Sequence, residues 1–342
     1  MKEITLCLLT SGLQPLLGAG EAEAVLGRPL SQLSRRLYLV SVPSHCAGNL
    51  LRALYDCVMV QEVVAAKAWS REPSAEAGFY RELAQQCSWG ELEGRTFAVA
   101  VRKLEGFPPA PSTELAASVA DGVSAALGGR CKVDLERPQV IVSLVVSRGA
   151  AVVGLRLLRA RGDRYRLRSK KYKPYGHPAS LTPEDAGVLV NLAGRRSPLL
   201  DPFCGSGTVL IEACVRGLEA VGLDIDRRAA RGAYANLKHF SCDAWAHVVV
   251  GDARALPFRP GAFPAVATNP PYGRVLKGTG EPGGLLSAFL RECSTVVARG
   301  AKVALVRPAH LDLEGPWRAA REYSVRVHGG LTRVFAVIEV GR

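Results

Sequence analysis

The sequence predicts an α/β protein in which a doubly wound, mostly parallel sheet follows a smaller α+β unit. Three observations support this prediction. The chain has 342 residues, more than one typical domain needs. From residue 177 onward, short apolar runs alternate with helical segments, a pattern typical of parallel strands joined by crossover helices. Before residue 155, strands and helices mix without a Gly-rich loop.

The first half contains the elements of a small α+β unit. Three apolar runs are predicted strands: Thr96–Val101, Gln139–Val146 and Ala151–Leu158. Ser112–Leu127 is predicted to be a helix, because apolar residues recur every four positions and Ser112 can cap its start. The chain begins with a brief apolar run without a basic flank or cleavage site, which predicts a buried strand followed by a loop.

The second half has the pattern of a wound sheet. Thr182 can cap a helix that has Pro183 at its first position and ends at Gly194. The predicted strands that follow are Pro198–Asp201, Ala220–Asp224, Ala246–Val250, Pro264–Thr268 and Lys302–Val306. Tyr323–Val327 and Thr332–Val340 predict a closing hairpin.

The composition indicates a globular protein with a polyanionic partner. Hydrophobic residues make up 48% and charged residues 22% of the chain, and the formal net charge is +13. No run approaches the roughly 20 apolar residues of a membrane span, so we place the protein in the cytoplasm without a membrane partner. Arg strongly outnumbers Lys, which suits phosphate binding but also arises in a high-GC genome.

Positive charge is concentrated at residues 156–173, which carry nine basic residues against one acid, with tyrosines interleaved. Cations contact phosphates and aromatic rings stack on bases. We therefore favour a nucleic-acid surface over a solvated strand edge and linker. The predicted RNA-binding residues are Arg166, Arg168, Lys170, Lys171 and Lys173, joined by Arg274 and Lys277 farther along the chain.

The nine cysteines contain no C-x-x-C pair and no Cys/His spacing of a zinc site. We predict no metal, and we expect buried free thiols. Intracellular disulfides occur in hyperthermophiles, so that alternative stays open.

A Gly-rich turn, Asp201-Pro-Phe-Cys-Gly-Ser-Gly-Thr208, joins the first predicted strand of the sheet to a helix. Such a turn lets a ligand approach the backbone closely. Asp224 ends the next strand, where a carboxylate can hold ribose hydroxyls, and Asp252 follows the third, where it can accept a hydrogen bond from an adenine amine. Leu210 stands where the dinucleotide fingerprint needs a third glycine, which argues against nicotinamide and flavin cofactors.

An acid directly before the turn suits an ammonium group better than a pyrophosphate. An amino acid joined to adenosine fits these features, and S-adenosylmethionine is such a molecule. The predicted cofactor site comprises Asp201, Phe203, Gly205, Ser206, Gly207, Thr208, Asp224, Ile225, Asp252, Ala253 and Asn269.

The fourth strand leads into Asn269-Pro-Pro-Tyr-Gly273. Consecutive prolines fix the backbone and expose the Pro270 carbonyl, which with the Asn269 amide oxygen can accept both hydrogens of an exocyclic amine. Holding these hydrogens out of plane aims the nitrogen lone pair at a methyl donor. Tyr272 can stack on the base. We predict Asn269, Pro270 and Tyr272 as catalytic residues, although alone the same residues make an ordinary turn.

These motifs resemble those of class I (Rossmann-like) methyltransferases with an amino-methylating N/D-P-P-Y/F signature. Upstream segments resemble the THUMP RNA-binding domain: Phe97–Arg102, Ser112–Leu115, Lys132–Pro138 and Val152–Leu155. His177–Pro183, before the first strand of the predicted methyltransferase domain, resembles the corresponding segment of the THUMP-containing tRNA guanine N2-methyltransferases. The resemblance implies transfer of methyl from S-adenosylmethionine to a guanine N2 in tRNA, and it implies that residues 1–50 form the ferredoxin-like lobe that accompanies THUMP.

The predicted domains are therefore residues 1–50 (ferredoxin-like lobe), 51–158 (THUMP), 159–176 (basic linker) and 177–342 (methyltransferase). The amino-acid sequence of the loop from Asp201 through Cys204 to Gly205 favours the archaeal guanine-10 enzymes over the guanine-6 enzymes, although the former usually carry Asp at the position of Asn269. DNA adenine or protein glutamine methylation uses the same catalytic loop, and a non-catalytic RNA-binding protein is a further alternative. The number of methyl groups added and the need for a small activator subunit stay open.

Overall fold

The computed structural model describes residues 3–160, 163–177, 179–271, 282–311, 313, 319–328 and 331–340. The chain divides into two compact units. The first comprises Met1–Ala19, Arg28–Tyr55 and Met59–Ala160. The second comprises Gly20–Gly27, Asp56–Val58 and Arg161–Arg342. Two short segments from the N-terminal part of the chain thus belong to the second unit.

The first unit is built on one mixed sheet. Its described strands are β1 (Glu3–Thr10), β2 (Ser31–Gln32), β3 (Leu37–Pro43), β4 (Val60–Ser70), β5 (Thr96–Lys103), β6 (Lys132–Val133), β7 (Val140–Ser147) and β8 (Ala150–Arg159). They lie in the order β2-β3-β1-β4-β8-β7-β5-β6. β5 pairs in parallel with β6 and β7, and the other pairs are antiparallel. The sheet runs through the predicted lobe and the predicted THUMP region, and the boundary between them stays a prediction.

Helices cover this sheet. They are α1 (Pro15–Leu26), whose first residues belong to the unit, α2 (Ala47–Tyr55), α3 (Ala77–Gln85) and α4 (Ser112–Ala126). The apolar residues that predicted α4 are buried, with Leu115, Val119 and Val123 each 0% exposed. A Cβ on Gly122 would lie 2.3 Å from the Arg81 carbonyl oxygen, so this glycine allows α3 and α4 to pack closely.

The N-terminal strand is confirmed as β1, but the loop expected after it is wrong, because Pro15–Leu26 forms helix α1. Pro15 and two glycines gave this segment the appearance of a turn. Pro15 instead occupies the first helical position, where its missing N–H costs nothing. Gly18 packs against Thr10 and Met59, since a Cβ there would lie 3.0 Å from the Cβ of each. The glycines therefore permit close packing of a helix.

The second unit is a doubly wound sheet, so the predicted fold class is confirmed. Its described strands are β9 (Leu199–Asp201), β10 (Ala220–Asp224), β11 (Ala246–Val250), β12 (Phe263–Thr268), β13 (Val297–Pro308), β14 (Ala319–His328) and β15 (Leu331–Glu339). The order is β11-β10-β9-β12-β13-β15-β14, with β9 to β13 parallel and the closing hairpin antiparallel.

The helices of this unit connect and cover the strands. They are α5 (Pro183–Leu192), α6 (Thr208–Cys214), α7 (Arg227–His239) and α8 (Pro282–Val296). The predicted cap of α5 is confirmed, because the Asp185 amide donates to Thr182 Oγ1 over 3.1 Å. One core packs α8 against the sheet through Phe289, Leu290, Val303 and Leu305, each at most 1% exposed. Burial of these apolar side chains is the main force that holds α8 in place.

The expectation of free thiols is wrong for one pair, since Cys214 and Cys242 form a disulfide. Cys214 ends α6 and Cys242 follows α7, so their contact depends on helix packing that spacing along the chain does not reveal. The remaining cysteines are free thiols: Cys7, Cys46, Cys57, Cys87, Cys131, Cys204 and Cys293.

The disulfide is expected to stabilise the protein measurably. It joins residues 28 positions apart, and closing a loop of this length restricts the unfolded chain by about 3–4 kcal/mol in the chain-entropy account. We expect the Cys214→Ser/Cys242→Ser variant to lose free energy of unfolding of about that size in denaturant titrations. A Cys87→Ser control, which removes a free thiol, should lose much less. Equal stability of the double variant and the wild type would contradict this contribution.

Candidate active site

Predicted ligand residues lie at the carboxyl ends of four neighbouring strands. Asp201 ends β9 and Asp224 ends β10, while Asp252 and Asn269 follow β11 and β12. These strands adjoin in the order β11-β10-β9-β12, and adjacent strands lie about 4.8 Å apart. The chain winds from β9 to β10 on one side and reaches β12 on the other, and such a switch point is where open α/β sheets bind ligands. The structure thus brings four predicted residues to one edge of a sheet.

Two glycines shape the turn after β9. Gly205 has φ 51° and Gly207 has φ 74°, values that favour glycine. A Cβ on Gly205 would meet no atom within 4 Å, so the turn borders open space at that point. A Cβ on Gly207 would lie 3.2 Å from the Cβ of Ala233. The first glycine therefore leaves room for a ligand against the backbone, and the second allows close packing on α7.

Asp201 is a buried carboxyl group held by neutral donors. Thr268 Oγ1 donates to its Oδ1 over 2.7 Å, and the Phe203 amide donates to the same oxygen over 3.3 Å. Burial raises the pKa of Asp201 to about 7, and these two hydrogen bonds offset only part of that effect. A cation placed against this group would stabilise its charged form. The site therefore suits a ligand that carries an ammonium group.

Backbone donors fix the carboxylate of Asp224. The Gly205 amide donates to Oδ2 over 2.8 Å, and the Asp226 amide donates to Oδ1 over 2.9 Å. A carboxylate at this place in an α/β sheet can bind ribose hydroxyls. The next side chain, Ile225, is 59% exposed and offers an apolar surface to a flat ring. The two residues together suit a nucleoside.

Asp252 has a partner that sequence reasoning missed. Arg254 donates through Nε to Oδ1 over 3.0 Å and through Nη2 to Oδ2 over 2.6 Å. This pairing lowers the pKa of Asp252. The neighbouring Ala253 is buried in the core. Each carboxylate oxygen can accept more than one hydrogen bond, so the pairing with Arg254 still allows Asp252 to accept from an adenine amine. That contact stays a prediction.

The segment before α5 is bonded to the Gly-rich turn by side chains. Lys173 Nζ donates to Thr208 Oγ1 over 2.6 Å. Thr208 Oγ1 lies 3.2 Å from Ser206 Oγ, which lies 2.6 Å from Ser180 Oγ. A line of hydroxyl groups therefore begins at a lysine ammonium and follows the turn.

Asn236 of α7 fastens the same segment. Its Nδ2 donates to the carbonyl oxygens of Tyr175 and Ser206, each over 2.9 Å, and its Oδ1 accepts from the Tyr175 amide over 2.9 Å. The Tyr175 ring lies directly on Gly232, where a Cβ would come within 2.2 Å of ring atoms. Asn236 is fully buried, so these bonds form where water does not compete. The sequence shows no local signal for this role.

The predicted catalytic residues are described only in part. Asn269 Nδ2 donates to the Ala179 carbonyl oxygen over 3.4 Å, which orients the side-chain amide. Pro270 is buried. Tyr272 lies outside the described residues, as do Arg274 and Lys277. Thr268, just before Asn269, is fully buried and bonded to Asp201, so the predicted catalytic loop begins next to the predicted ammonium site.

The basic segment has an exposed and an inward side. Arg166, Lys170 and Lys171 are exposed. Arg168 instead forms a bidentate pair with Glu212, at 2.6 Å from Nε to Oε1 and 3.2 Å from Nη2 to Oε2. Lys173 is held by Thr208, as described above. RNA binding therefore stays a prediction for the exposed residues, whereas the side chains of Arg168 and Lys173 already contact Glu212 and Thr208 within the second unit.

Glu212 is the centre of a buried cluster that sequence reasoning missed. It is fully buried and also pairs over 2.7 Å with Arg216, which follows the end of α6. Arg216 Nη2 donates to the Asp56 carbonyl oxygen over 3.1 Å, and Asn191 Nδ2 donates to Glu21 Oε1 over 2.7 Å. These bonds attach the two N-terminal segments of the second unit to α5 and α6. A buried carboxylate held by two guanidinium groups satisfies the requirement that buried charges be paired.

Among the residues that the structure describes, no helix is both long and apolar enough to cross a membrane. Within the same residues, no group of three or more His, Cys, Asp and Glu side chains is arranged to hold a metal ion.

The wound sheet, the Gly-rich turn and the acids at successive strand ends define a class I methyltransferase. A family model described as UPF0020, an RMKL-like methyltransferase domain, matches residues 170–334, and a THUMP domain model matches residues 81–156. The second match lies within the region predicted as THUMP.

Similar known proteins identify the family within this class. A tRNA (guanine(10)-N2)-dimethyltransferase of Methanothermobacter thermautotrophicus is 32% identical over 265 residues, which are 75% of this chain and 77% of the relative. A tRNA (guanine(6)-N2)-methyltransferase of Thermus thermophilus is 33% identical over 280 residues, or 76% of this chain and 78% of the relative. The crystal structure of TrmN from Thermus thermophilus matches with TM-score 0.54 and 28% identity, covering 98% of this chain and 99% of that one. The chain belongs to the family of THUMP-containing tRNA guanine N2-methyltransferases.

Proposed function

We propose that the protein transfers a methyl group from S-adenosylmethionine to the exocyclic N2 of guanine 10 in tRNA. The observation that carries this proposal is the position of Asn269-Pro270 directly after β12, beside the buried Asp201, in a chain of this family. An amine acceptor site next to an ammonium-binding site is what methyl transfer from an amino-acid-derived donor to an amino group requires.

The residues present fit S-adenosylmethionine. Open space beside Gly205 accommodates a ligand against the backbone. Asp201 suits the ammonium of the cofactor, and Asp224 suits the ribose hydroxyls. Ile225 offers an apolar surface for the adenine ring, while Asp252 suits the adenine amine. When bound, this cofactor supplies an electrophilic methyl group on its sulfonium.

The catalytic loop prepares the amine of the base. The N2 lone pair of guanine is delocalised into the ring, so the amine is a poor nucleophile. Asn269 Oδ1 and the Pro270 carbonyl would accept its two hydrogens and favour a tetrahedral nitrogen whose lone pair points toward the methyl group. The Ala179 carbonyl restrains the Asn269 amide from the other side. The product amine loses its proton after transfer, so no general base is needed before attack.

The substrate is bound through phosphates and shape. Arg166, Lys170 and Lys171 would contact tRNA phosphates, and the THUMP region contributes further RNA contacts. The target guanine leaves its stack to reach the catalytic loop, at a cost of a few kcal/mol. Family membership argues against a DNA adenine or protein glutamine substrate and against a non-catalytic role.

Guanine 6 is the second candidate position, because the Thermus thermophilus guanine-6 relative has an identity similar to that of the guanine-10 relative. The test is incubation with labelled S-adenosylmethionine and unmodified tRNA transcripts, followed by mapping of the modified nucleoside by mass spectrometry. Matched transcripts carry adenine at position 10 or at position 6. We expect loss of labelling only with adenine 10. Loss with adenine 6 instead selects guanine 6, and no labelling of any tRNA despite cofactor binding contradicts the substrate.

The exposed lysines are expected to set the salt dependence of tRNA binding. Each phosphate contact releases counterions, so removing one lowers the slope of log affinity against log salt by about 1. We expect Lys170→Ala and Lys171→Ala each to weaken tRNA binding and to flatten this slope. The measurement is filter binding between about 50 and 200 mM salt, a range over which the affinity of phosphate-binding proteins changes strongly. Lys238→Ala, which removes an exposed lysine of α7, is the control. An unchanged slope would remove these lysines from the RNA surface.

A further inference from the structure

Lys173 is a cation that the proposed RNA surface does not use. Its ammonium group donates to Thr208 Oγ1 over 2.6 Å, next to the Gly-rich turn. Burial lowers the pKa of Lys173 to about 8, although the charge of Glu212 opposes this effect. The Lys173 side chain is thus partly buried, whereas those of Lys170 and Lys171, which precede it in the chain, are exposed to solvent.

The nearest acid does not neutralise Lys173 by direct contact. The carboxylate of Glu212 is already held by Arg168 and Arg216, at 2.6 and 2.7 Å. In the described part of the chain, no acid lies within ion-pair distance of Lys173, and the Thr208 hydroxyl is its hydrogen-bond acceptor there. An ammonium group has three N–H donors. Lys173 can therefore offer donors and positive charge to an anionic ligand group.

Hydroxyl groups extend this anion-binding potential along the turn. Thr208 Oγ1, Ser206 Oγ and Ser180 Oγ follow one another at 3.2 and 2.6 Å. Ala179, the neighbour of Ser180, accepts a hydrogen bond from Asn269. The line of hydroxyls thus leads from Lys173 toward the catalytic loop, along the turn that begins at Asp201.

The amino-acid end of S-adenosylmethionine carries two charges, an ammonium and a carboxylate. Asp201 has the chemistry for the first, and the second needs cationic and hydroxyl donors close by. We propose that Lys173 binds the carboxylate of the cofactor, together with the hydroxyl groups of Thr208, Ser206 and Ser180. This inference rests on the proposed function. It assigns Lys173 to the cofactor, whereas the sequence pattern had grouped it with the RNA-binding lysines.

The test compares two ligands that differ only in the carboxylate, S-adenosylmethionine and decarboxylated S-adenosylmethionine. Dissociation constants are measured by isothermal titration calorimetry for the wild type, Lys173→Met and Lys173→Arg. A charge-assisted hydrogen bond supports a loss of about 10- to 100-fold. We expect Lys173→Met to lose that factor for S-adenosylmethionine and less than about twofold for the decarboxylated ligand. Lys173→Arg should keep most of the preference for the carboxylated ligand. Lys238→Met, far along the chain on α7, should behave as the wild type.

Two outcomes overturn the inference, and a third overturns the proposed function on which it rests. Equal losses for both ligands would show that Lys173 acts by positioning Thr208 and the turn. No loss for either ligand would show that Lys173 does not serve the cofactor. Wild-type protein that binds neither ligand would contradict the proposed function itself, which separates that failure from failure of the Lys173 assignment. Thermal unfolding of each variant checks that it is folded.

Discussion

Replacing Asn269 by Ala is expected to lower kcat for tRNA methylation by about 10²- to 10³-fold, the usual loss when one preorganised polar group of an active site is removed. In the proposed mechanism, the side chain supplies one of two acceptors for the hydrogens of the target amine. Without it, the amine stays conjugated with the base and its lone pair points away from the methyl donor. Affinity for tRNA should change little, because phosphate contacts dominate that affinity.

Asn269→Asp is the matched variant, since it keeps an acceptor oxygen at the same position. We expect it to retain much more activity than Asn269→Ala, although it cannot donate to the Ala179 carbonyl as Asn269 Nδ2 does. Single-turnover kinetics with saturating tRNA separate the chemical step from binding. A fully active Asn269→Ala enzyme would remove Asn269 from the catalytic residues. Weakened tRNA binding with unchanged kcat would assign it to substrate binding instead.

The positions of Asp201, Asp224 and Asn269 could be predicted because each ends or directly follows a short apolar strand in an alternating α/β pattern. In a parallel sheet, all carboxyl ends lie at one edge, so residues 23 and 45 positions apart along the chain meet there without any knowledge of side-chain packing. The approximate bounds of most predicted strands were also confirmed.

Contacts between side chains could not be predicted in this way. A run of basic residues reveals its charge, but it does not reveal that Arg168 turns toward Glu212 while Lys170 faces solvent. The direction of the Arg168 side chain depends on Glu212 of helix α6, which lies 44 residues later in the chain. The disulfide between Cys214 and Cys242 was missed for the same reason. Helix α1 was missed because glycine serves both turns and close packing.

The second large effect concerns Asp201 and pH. Its pKa in the ligand-free protein is raised to about 7 by burial, so below that pH the carboxyl group is mostly neutral. Binding an ammonium group requires the carboxylate. We therefore expect the affinity for S-adenosylmethionine to rise with pH up to about 7 and to level off above it. Titrations at several pH values should show an acidic limb that disappears in Asp201→Asn. That variant should bind about 30- to 1000-fold more weakly at pH 7.5, since it removes one partner of a buried charge pair.

The same pKa sets an opposite effect on stability. The folded-state pKa of Asp201, about 7, lies above the ordinary value of 3.8, so the folded protein binds an additional proton between these values. The group's contribution to stability is therefore complete below the unfolded value and is lost as the pH rises through 7. Asp201→Asn should stabilise the ligand-free protein at pH 8, by an amount on the order of a few kcal/mol, and should stabilise it clearly less at pH 5, where only part of this contribution has been lost.

Denaturant titrations at the two pH values check this, with Asp121→Asn, which replaces an exposed carboxylate of α4, as the control. A carboxylate that weakens the empty protein but strengthens ligand binding is the signature of a site built for a cation. If Asp201→Asn destabilises the protein equally at both pH values, Asp201 is a structural acceptor for Thr268 and the ammonium must be bound elsewhere. If stability rises at pH 8 while cofactor affinity stays unchanged, Asp201 is buried at a cost that the cofactor does not relieve.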